Sequence, residues 1–306
     1  MSHTAFEKGR IVMLRTKGSL LVLVLTLTGL LPLLACQQEG VAEVSIGANE
    51  FAFAAPDNVG RGLTRVTLDN TGKEDHQAQF FRLNEGVTPQ QFQEALQAAL
   101  RAVPTEGEGA ALGRLLALGS FAGGPNTMPP GEKTSVVQDL QPGQYMVLCF
   151  VPSPDGVPHL AKGMIRPLTV GTAPSDRPTG PKPEGTSLVE LTDFTFVLPE
   201  WTAGKNTVEV VNKGKEPHEL TIVRAKGVPA SALRDIFLAP PGAPALSGPP
   251  LFESAGGIGA IAPGSFGWAE VDLPAGDYAL LRFVPSPVNQ GKPHVALGMF
   301  QTFTVK

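Results

Sequence analysis

Two kinds of apolar pattern run along this 306-residue chain. One is a single unbroken stretch near the start, Ser19 to Leu34. The other recurs in short pieces. Val44-Ser45-Ile46, Phe51-Ala52-Phe53 and Thr64-Arg65-Val66-Thr67-Leu68 alternate apolar and polar positions, the period-two signature of half-buried strands. Gln79 to Leu83 forms a further strand segment. Tyr145 to Val151 is apolar throughout, as in a central strand covered on both faces. Met164 to Val170 completes the set. Helical spacing occurs at Phe92, Leu96, Ala99 and Leu100. It is preceded by Thr88-Pro89-Gln90-Gln91, which reads as an N-cap, a first-turn proline and a capping-box glutamine. Glycine and proline make up about one residue in five. That density interrupts the chain too often for a helical bundle and predicts an all-β protein.

The strand pattern occurs twice. Glu50-Phe51-Ala52-Phe53 matches Asp193-Phe194-Thr195-Phe196. Asn70-Thr71-Gly72-Lys73-Glu74-Asp75-His76 matches Asn212-Lys213-Gly214-Lys215-Glu216-Pro217-His218. Pro130-Gly131 matches Pro263-Gly264, and Gly143-Gln144-Tyr145 matches Gly276-Asp277-Tyr278. Phe150-Val151-Pro152-Ser153-Pro154 matches Phe283-Val284-Pro285-Ser286-Pro287. Pro158-His159 with Gly163-Met164 matches Pro293-His294 with Gly298-Met299. The helical segment has its counterpart in Pro229, Leu233 and Phe237. Two domains follow, 41–170 and 186–306. Each is expected to be a sandwich of about seven strands with one inserted helix. The segment 171–185 between them is proline-rich and lacks apolar periodicity, so it reads as a semi-rigid linker. The Gly-rich segments Ala122-Gly123-Gly124-Pro125 and Ala255-Gly256-Gly257-Ile258 read as turns.

The first apolar run has a different meaning. Lys8, Arg10, Arg15 and Lys17 precede it, and it ends in Leu33-Leu34-Ala35-Cys36. It is short for a membrane span, and its ending resembles a bacterial lipobox. Residues 1–35 are then an export signal and Cys36 the lipid-bearing first residue of the mature chain. Met13 with Arg15 and Lys17 would itself make a compact signal start. Residues 36–40 would tether the first domain to a bacterial membrane, on its periplasmic or cell-surface face. Without the signal the chain keeps 20 basic and 27 acidic groups, a net charge of −7. That leaves no basic footprint for nucleic acid.

Removing the signal also sharpens the histidine and cysteine count. The chain has five His and two Cys. His3 lies in the signal, and the remaining four are two copies of one pair: His76 with His218, His159 with His294. Cys149 is the thiol left over once Cys36 carries lipid. An odd thiol in an exported protein is buried and inert, intermolecularly paired, or a ligand. The first domain offers His76, Cys149, His159 and Met164 in that order. Two imidazoles, a thiolate and a weak thioether form the donor set of a copper electron-transfer centre. The alternative is a structural histidine pair closing the end of each sandwich. Met128, Met146 and Met13 read as core or signal residues.

Both domains resemble the cupredoxins, the superfamily of plastocyanin and azurin. Family members order their ligands His, Cys, His, with Met five residues after the second His, as in His159 and Met164. Asn70-Thr71-Gly72 before His76, and Pro142-Gly143-Gln144-Tyr145 before Cys149, also resemble the family. The resemblance covers nearly the whole mature chain. It implies two tandem Greek-key β-sandwiches and one type 1 copper, held by His76, Cys149, His159 and Met164. Nine residues separate Cys149 from His159. That is longer than in small cupredoxins and similar to the type 1 site of two-domain copper nitrite reductases. In the second domain Arg282 stands where the first has Cys149, so His218, His294 and Met299 are expected to hold no metal.

The resulting expectation is a lipid-anchored carrier of single electrons, working with a redox protein near the membrane. It is not expected to be an enzyme. The His-x-His pairs of multicopper oxidases do not occur, and the mature histidines are too few for the second copper of a nitrite reductase. Two other readings use the same residues: a metal-free cupredoxin-like binding or structural module, and a copper trafficking or storage protein.

Overall fold

Alternation in the chain is realised as strands. A computed structural model describes residues 41–174, 183–184, 186–239 and 249–306. The signal, Cys36, the 36–40 tether, and residues 175–182 and 185 of the expected linker lie outside the described residues. The first repeat contains β1 (Ala42–Asn49), β2 (Ala52–Ala54), β3 (Asn58–Asn70), β4 (Gln79–Leu83), α1 (Pro89–Glu106), α2 (Glu108–Leu116), β5 (Gly119–Phe121), β6 (Lys133–Leu140), β7 (Gly143–Leu148) and β8 (Ile165–Pro174). The second contains β9 (Ser187–Thr192), β10 (Thr195–Val197), β11 (Gly204–Asn212), β12 (His218–Ala225), α3 (Leu233–Phe237), β13 (Phe252–Ile261), β14 (Phe266–Leu273), β15 (Gly276–Leu281) and β16 (Phe300–Val305).

In the first repeat one sheet runs β2-β1-β3-β6, and the facing sheet runs β8-β7-β4-β5. The second repeat copies this as β10-β9-β11-β14 and β16-β15-β12-β13. The all-β sandwich expectation therefore holds. β3 is long enough to serve both sheets: residues from Gly62 onward pair with β6, and Asn58–Arg61 pair with β8. The core lies between the sheets and is continuous across both repeats. It includes Ile46, Val66, Val147 and Leu168 from one, and Val208, Leu220, Leu280 and Val305 from the other.

β7 is apolar on both faces because both are covered. Tyr145 and Val147 face the inter-sheet core, whereas Met146 and Leu148 pack under α1 and α2. The N-terminus of α1 forms the capping box read from the sequence. Gln91 N–H donates to Thr88 Oγ1 (3.2 Å), and Thr88 N–H donates to Gln91 Oε1 (2.8 Å). Phe92, Leu96 and Ala99 are its buried face. A second helix, α2, follows Gly107 and buries Leu112 and Leu115. It was not read from the sequence, although seven of its nine residues are strong helix formers, because it is short and interrupted by Gly109 and Gly113.

The Gly-rich segments are not turns. Ala255 to Ile258 lies inside strand β13, and Ala122 and Pro125 bridge to that strand. Positive φ at Gly123, Gly124, Gly256 and Gly257 lets both segments bulge without ending the pairing. The bridges join the repeats symmetrically. The offset that aligns Pro130-Gly131 with Pro263-Gly264 also aligns Pro125 with Ile258 and Val136 with Ala269. Both are pairs across the junction, since Pro125 bridges Ile258 and Val136 in β6 pairs with Ala269 in β14. Each residue thus meets its own counterpart, the isologous contact of a two-fold dimer inside one chain. Polar clamps reinforce it. Gln79 exchanges hydrogen bonds with Ala260 (3.0 and 2.6 Å), and Asn126 Nδ2 donates to Leu220 O and Thr221 Oγ1 (3.1 and 2.9 Å). Arg65 binds Glu270 through two nitrogens (2.8 and 2.9 Å).

Gly257 has φ +119, and a side chain there would drive into the Leu220 carbonyl. Gly264 has φ +76 but faces open space. Gly257→Ala should therefore destabilise the chain by about 3 kcal/mol and Gly264→Ala by about 1 kcal/mol. Urea unfolding of the two variants measures this, and equal losses would contradict the steric account.

Candidate metal centre

Strand phase delivers the sulfur. Cys149 follows the inward-facing Tyr145 and Val147 in step of two, so its side chain enters the inter-sheet core. His76 stands between β3 and β4 in a bridge to Met128 (N–H to carbonyl 3.1 and 3.0 Å). Asn70 braces the approach. Its Nδ2 donates to Glu74 O (2.9 Å) and Met128 O (2.8 Å), and its Oδ1 accepts from Gly72 N–H (3.0 Å). Position 72 must be glycine because a Cβ there would lie 2.7 Å from His76 Nε2. The Asn-x-Gly motif is thus a support for the histidine.

The nine residues after Cys149 fold on themselves. Pro152 bridges Pro158, Ser153 N–H donates to Val157 O (3.0 Å), and Gly156 N–H donates to Ser153 O (2.8 Å). This small hairpin takes up the extra length and lets His159 N–H bond Val151 O (2.9 Å). A 3-10 turn, His159–Lys162, and left-handed Gly163 then lead to Met164.

His76, Cys149 and His159 converge as the sequence predicts. His76 Nδ1 is 3.0 Å from His159 Nδ1, and Cys149 Sγ is 3.4 Å from His159 Nδ1 and 4.0 Å from His76 Nδ1. Gln77 N–H points at the sulfur (3.5 Å). Met164 shares the buried core with Cys149. Its N–H donates to His159 O (2.9 Å), and its carbonyl accepts from Cys149 N–H (3.3 Å). All four side chains are 0% exposed.

Three neighbours were not read from the sequence as part of the site. Glu74 Oε2 lies 2.9 Å from His159 Nε2. A carboxylate only accepts, so the proton sits on Nε2 and the Nδ1 lone pair faces the cluster. Phe51 adopts φ 60, unusual for an aromatic residue, and sets its ring edge-on to His159 at 5.2 Å. Glu50 accepts from Lys73 N–H beside the His76 ring. The signal for all three was their recurrence: Glu216, Phe194 and Asp193 occupy the same places in the second repeat.

There, His294 Nε2 lies 2.9 Å from Glu216 Oε2, and Phe194 (φ 72) meets His294 at 5.1 Å. His218 Nε2 lies 3.1 Å from Asp193 Oδ1. Pro285 bridges Pro293 as Pro152 bridges Pro158. Met299 is buried, like Met164. Arg282 takes the place of Cys149, fully buried, with Nη1 2.8 Å from His218 Nδ1. The His–His hydrogen bond of the first repeat has no equivalent among the described contacts of the second. The two rings of the second repeat still meet, with centroids 5.2 Å apart against 4.8 Å in the first.

Each repeat faces two sheets across a core, sends one histidine in before the fourth strand, and returns a second by a hairpin loop before the last. Both repeats share this two-sheet architecture. No protein-family model and no curated protein matches the sequence. Among solved structures the chain is similar to reduced auracyanin of Roseiflexus castenholzii (21% identity, 43% of this chain and 99% of that one, TM-score 0.28). It is also similar to auracyanin A, a "blue" copper protein of Chloroflexus aurantiacus (17%, 43% and 100%, TM-score 0.28). A copper nitrite reductase of Nitrosomonas europaea aligns over both repeats (13%, 87% and 94%, TM-score 0.24).

The donor cluster of the first repeat, two imidazoles and a sulfur, suits a soft, redox-active ion. Three donor atoms separated by 3.0–4.0 Å can bond one centre at lengths of about 2.0–2.3 Å. Burial pushes the Cys149 thiol up to about 12, so the free chain holds it protonated and a cation must displace that proton. His76 Nε2, buried and without a partner, marks a ring held in place by its surroundings more than by its own hydrogen bonds.

Burial, together with the His159 ring, pushes His76 down to about 4, and burial with the Arg282 charge does the same to His218. Unfolded imidazoles take up a proton near pH 6.5. Between pH 6.5 and 4 the unfolded chain therefore binds more protons than the folded one, and lowering the pH favours unfolding. The metal-free protein should be most stable above pH 6.5 and lose stability steadily down to pH 4. Urea midpoints at pH 7.5, 5.5 and 4.5 test this, and a flat profile would refute it.

Proposed function

We propose that the protein binds one copper ion in its first repeat and carries single electrons. The observation that carries this reading is the sealed His76–Cys149–His159 cluster, with every donor 0% exposed. A catalytic metal site keeps a position open for substrate or water, whereas an electron carrier gains from excluding both. Copper, when bound, supplies a one-electron change of charge. The chain's residues do the rest. Cys149 serves as a thiolate, and its charge offsets that of the ion. His76 and His159 present neutral Nδ1 lone pairs, the latter oriented by Glu74. Met164, buried in the same core as Cys149, would supply a weak thioether donor that tunes the potential. The two-sheet frame resists rearrangement between the oxidised and reduced states.

The same reading makes the second repeat a scaffold or docking surface without a metal, and the protein a carrier and not an oxidase. We further propose export and lipid anchoring through Cys36, which would hold the carrier beside a membrane redox partner. Labelled palmitate should enter the chain in a bacterial host and be lost in Cys36→Ser. Retention of label in that variant would remove the anchor.

Adding Cu(II) to the soluble mature chain should give one equivalent bound and an intense thiolate-to-copper band in the visible. Cys149→Ala should abolish the band. Tight uptake without the band would mean trafficking or storage. Failure to bind any copper would leave a metal-free module.

A further inference from the structure

Arg282 differs from a residue that has merely lost its function. Its backbone reproduces that of Cys149. Leu160 N–H donates to Cys149 O at 2.8 Å, and Val295 N–H donates to Arg282 O at 2.9 Å. Beyond it, Met164 and Met299 N–H groups donate to His159 O and His294 O, both at 2.9 Å. The loop to the second histidine is two residues longer in the second repeat, yet the turn that carries Arg282, His294 and Met299 keeps these bonds, so the side chain at this position is a principal difference between the two centres.

Both second-repeat imidazoles are oriented as metal ligands. Asp193 on His218 Nε2 and Glu216 on His294 Nε2 hold the protons outside, so each Nδ1 lone pair faces inward. In the first repeat the two Nδ1 atoms are hydrogen-bonded to each other at 3.0 Å. In the second, the Arg282 guanidinium enters and donates to His218 Nδ1 at 2.8 Å. The imidazole centroids open from 4.8 to 5.2 Å.

We infer that the Arg282 guanidinium takes the place of a metal ion in the second repeat, as a cation built into the chain. The charge around it is arranged for one. Gln77, beside the first centre, is replaced by Glu219, which is 6% exposed and accepts from Phe283 N–H at 3.0 Å. An arginine buried with no compensation would be strongly destabilising. Here Glu219, Glu216 and Asp193 all act on it electrostatically. Burial lowers Arg282 only to about 9, so it remains charged at neutral pH. Nε and Nη2 of Arg282 and Nδ1 of His294 are buried without protein partners, the pattern left when a planar cation fills a cavity shaped for a smaller, many-bonded one. The second repeat thus keeps its ligand cage closed at any copper supply, and metal is confined to the first.

This inference concerns the second centre and can be tested apart from the first. In the full chain carrying Cys149→Ala, we would add Arg282→Cys with Glu219→Gln and titrate with Cu(II). The expected result is a gain of one equivalent and a thiolate-to-copper band, with neither in Cys149→Ala alone. A folded triple variant that gains no metal would overturn the inference, whatever the first site does in the natural chain. Should the triple variant not fold, the natural chain decides. During Zn(II) titration the imidazole nitrogen resonances of His218 and His294 should not shift. Zinc-induced shifts at those two residues would overturn it.

Discussion

A buried imidazole nitrogen on a ring held in place needs a polar partner inside the core. Each repeat brings two imidazoles together there: His76 Nδ1 is hydrogen-bonded to His159 Nδ1 at 3.0 Å, and His218 Nδ1 accepts from Arg282 Nη1 at 2.8 Å. Glu74 and Glu216, each 2.9 Å from an outer ring nitrogen, fix the tautomers of His159 and His294. All four rings are 0% exposed. Their inner nitrogens need a donor or a cation. The residue that ends β7 or β15 decides which is supplied. A thiol at 149 leaves room for an ion and offers the negative charge that goes with it. A guanidinium at 282 brings the positive charge covalently.

The sheet architecture makes this one position decisive. Period-two alternation along β7 and β15 leaves no choice of face for residues 149 and 282. The outer faces of those strands are already committed to the helices through Met146, Leu148, Ala279 and Leu281. The pairing of Val136 with Ala269 and of Pro125 with Ile258 joins the two repeats directly through their sheets. Asp75, next to His76, accepts from Ser254 Oγ of the other repeat at 2.7 Å.

Much of this was legible in the sequence for a simple reason: duplication supplied an internal control. Strands, the capping box at Thr88 and the convergence of His76, Cys149 and His159 follow from local rules and from residues that recur in step. The Gly-rich segments were misread because a pair of glycines signals a turn locally, whereas here positive φ serves a bulge whose partner is over a hundred residues away. The role of Glu74 was missed for a related reason. An acidic residue after a glycine and a lysine looks like solvated surface, and only the fold brings it against a histidine 85 positions later. Helix α2 is nine residues long with two glycines, too short to stand out by periodicity, and it is held by burying Leu112 and Leu115.

The substitution of Cys149 by Arg282 looks at first like decay, and charge is what argues otherwise. Decay would leave a small or apolar residue and a cavity, with neutral surroundings unchanged. The second centre instead carries a full positive charge, a new buried carboxylate at the position of Gln77, and an oriented carboxylate on each imidazole. Removing any one of these alone would strand the others in a medium that cannot solvate them. The set is stable only as a whole, which is also true of a metal with its thiolate. The two repeats are therefore two solutions to the same electrostatic problem in one fold. On the proposed reading one would take an ion from outside and change its charge by an electron, whereas the other is filled by its own guanidinium.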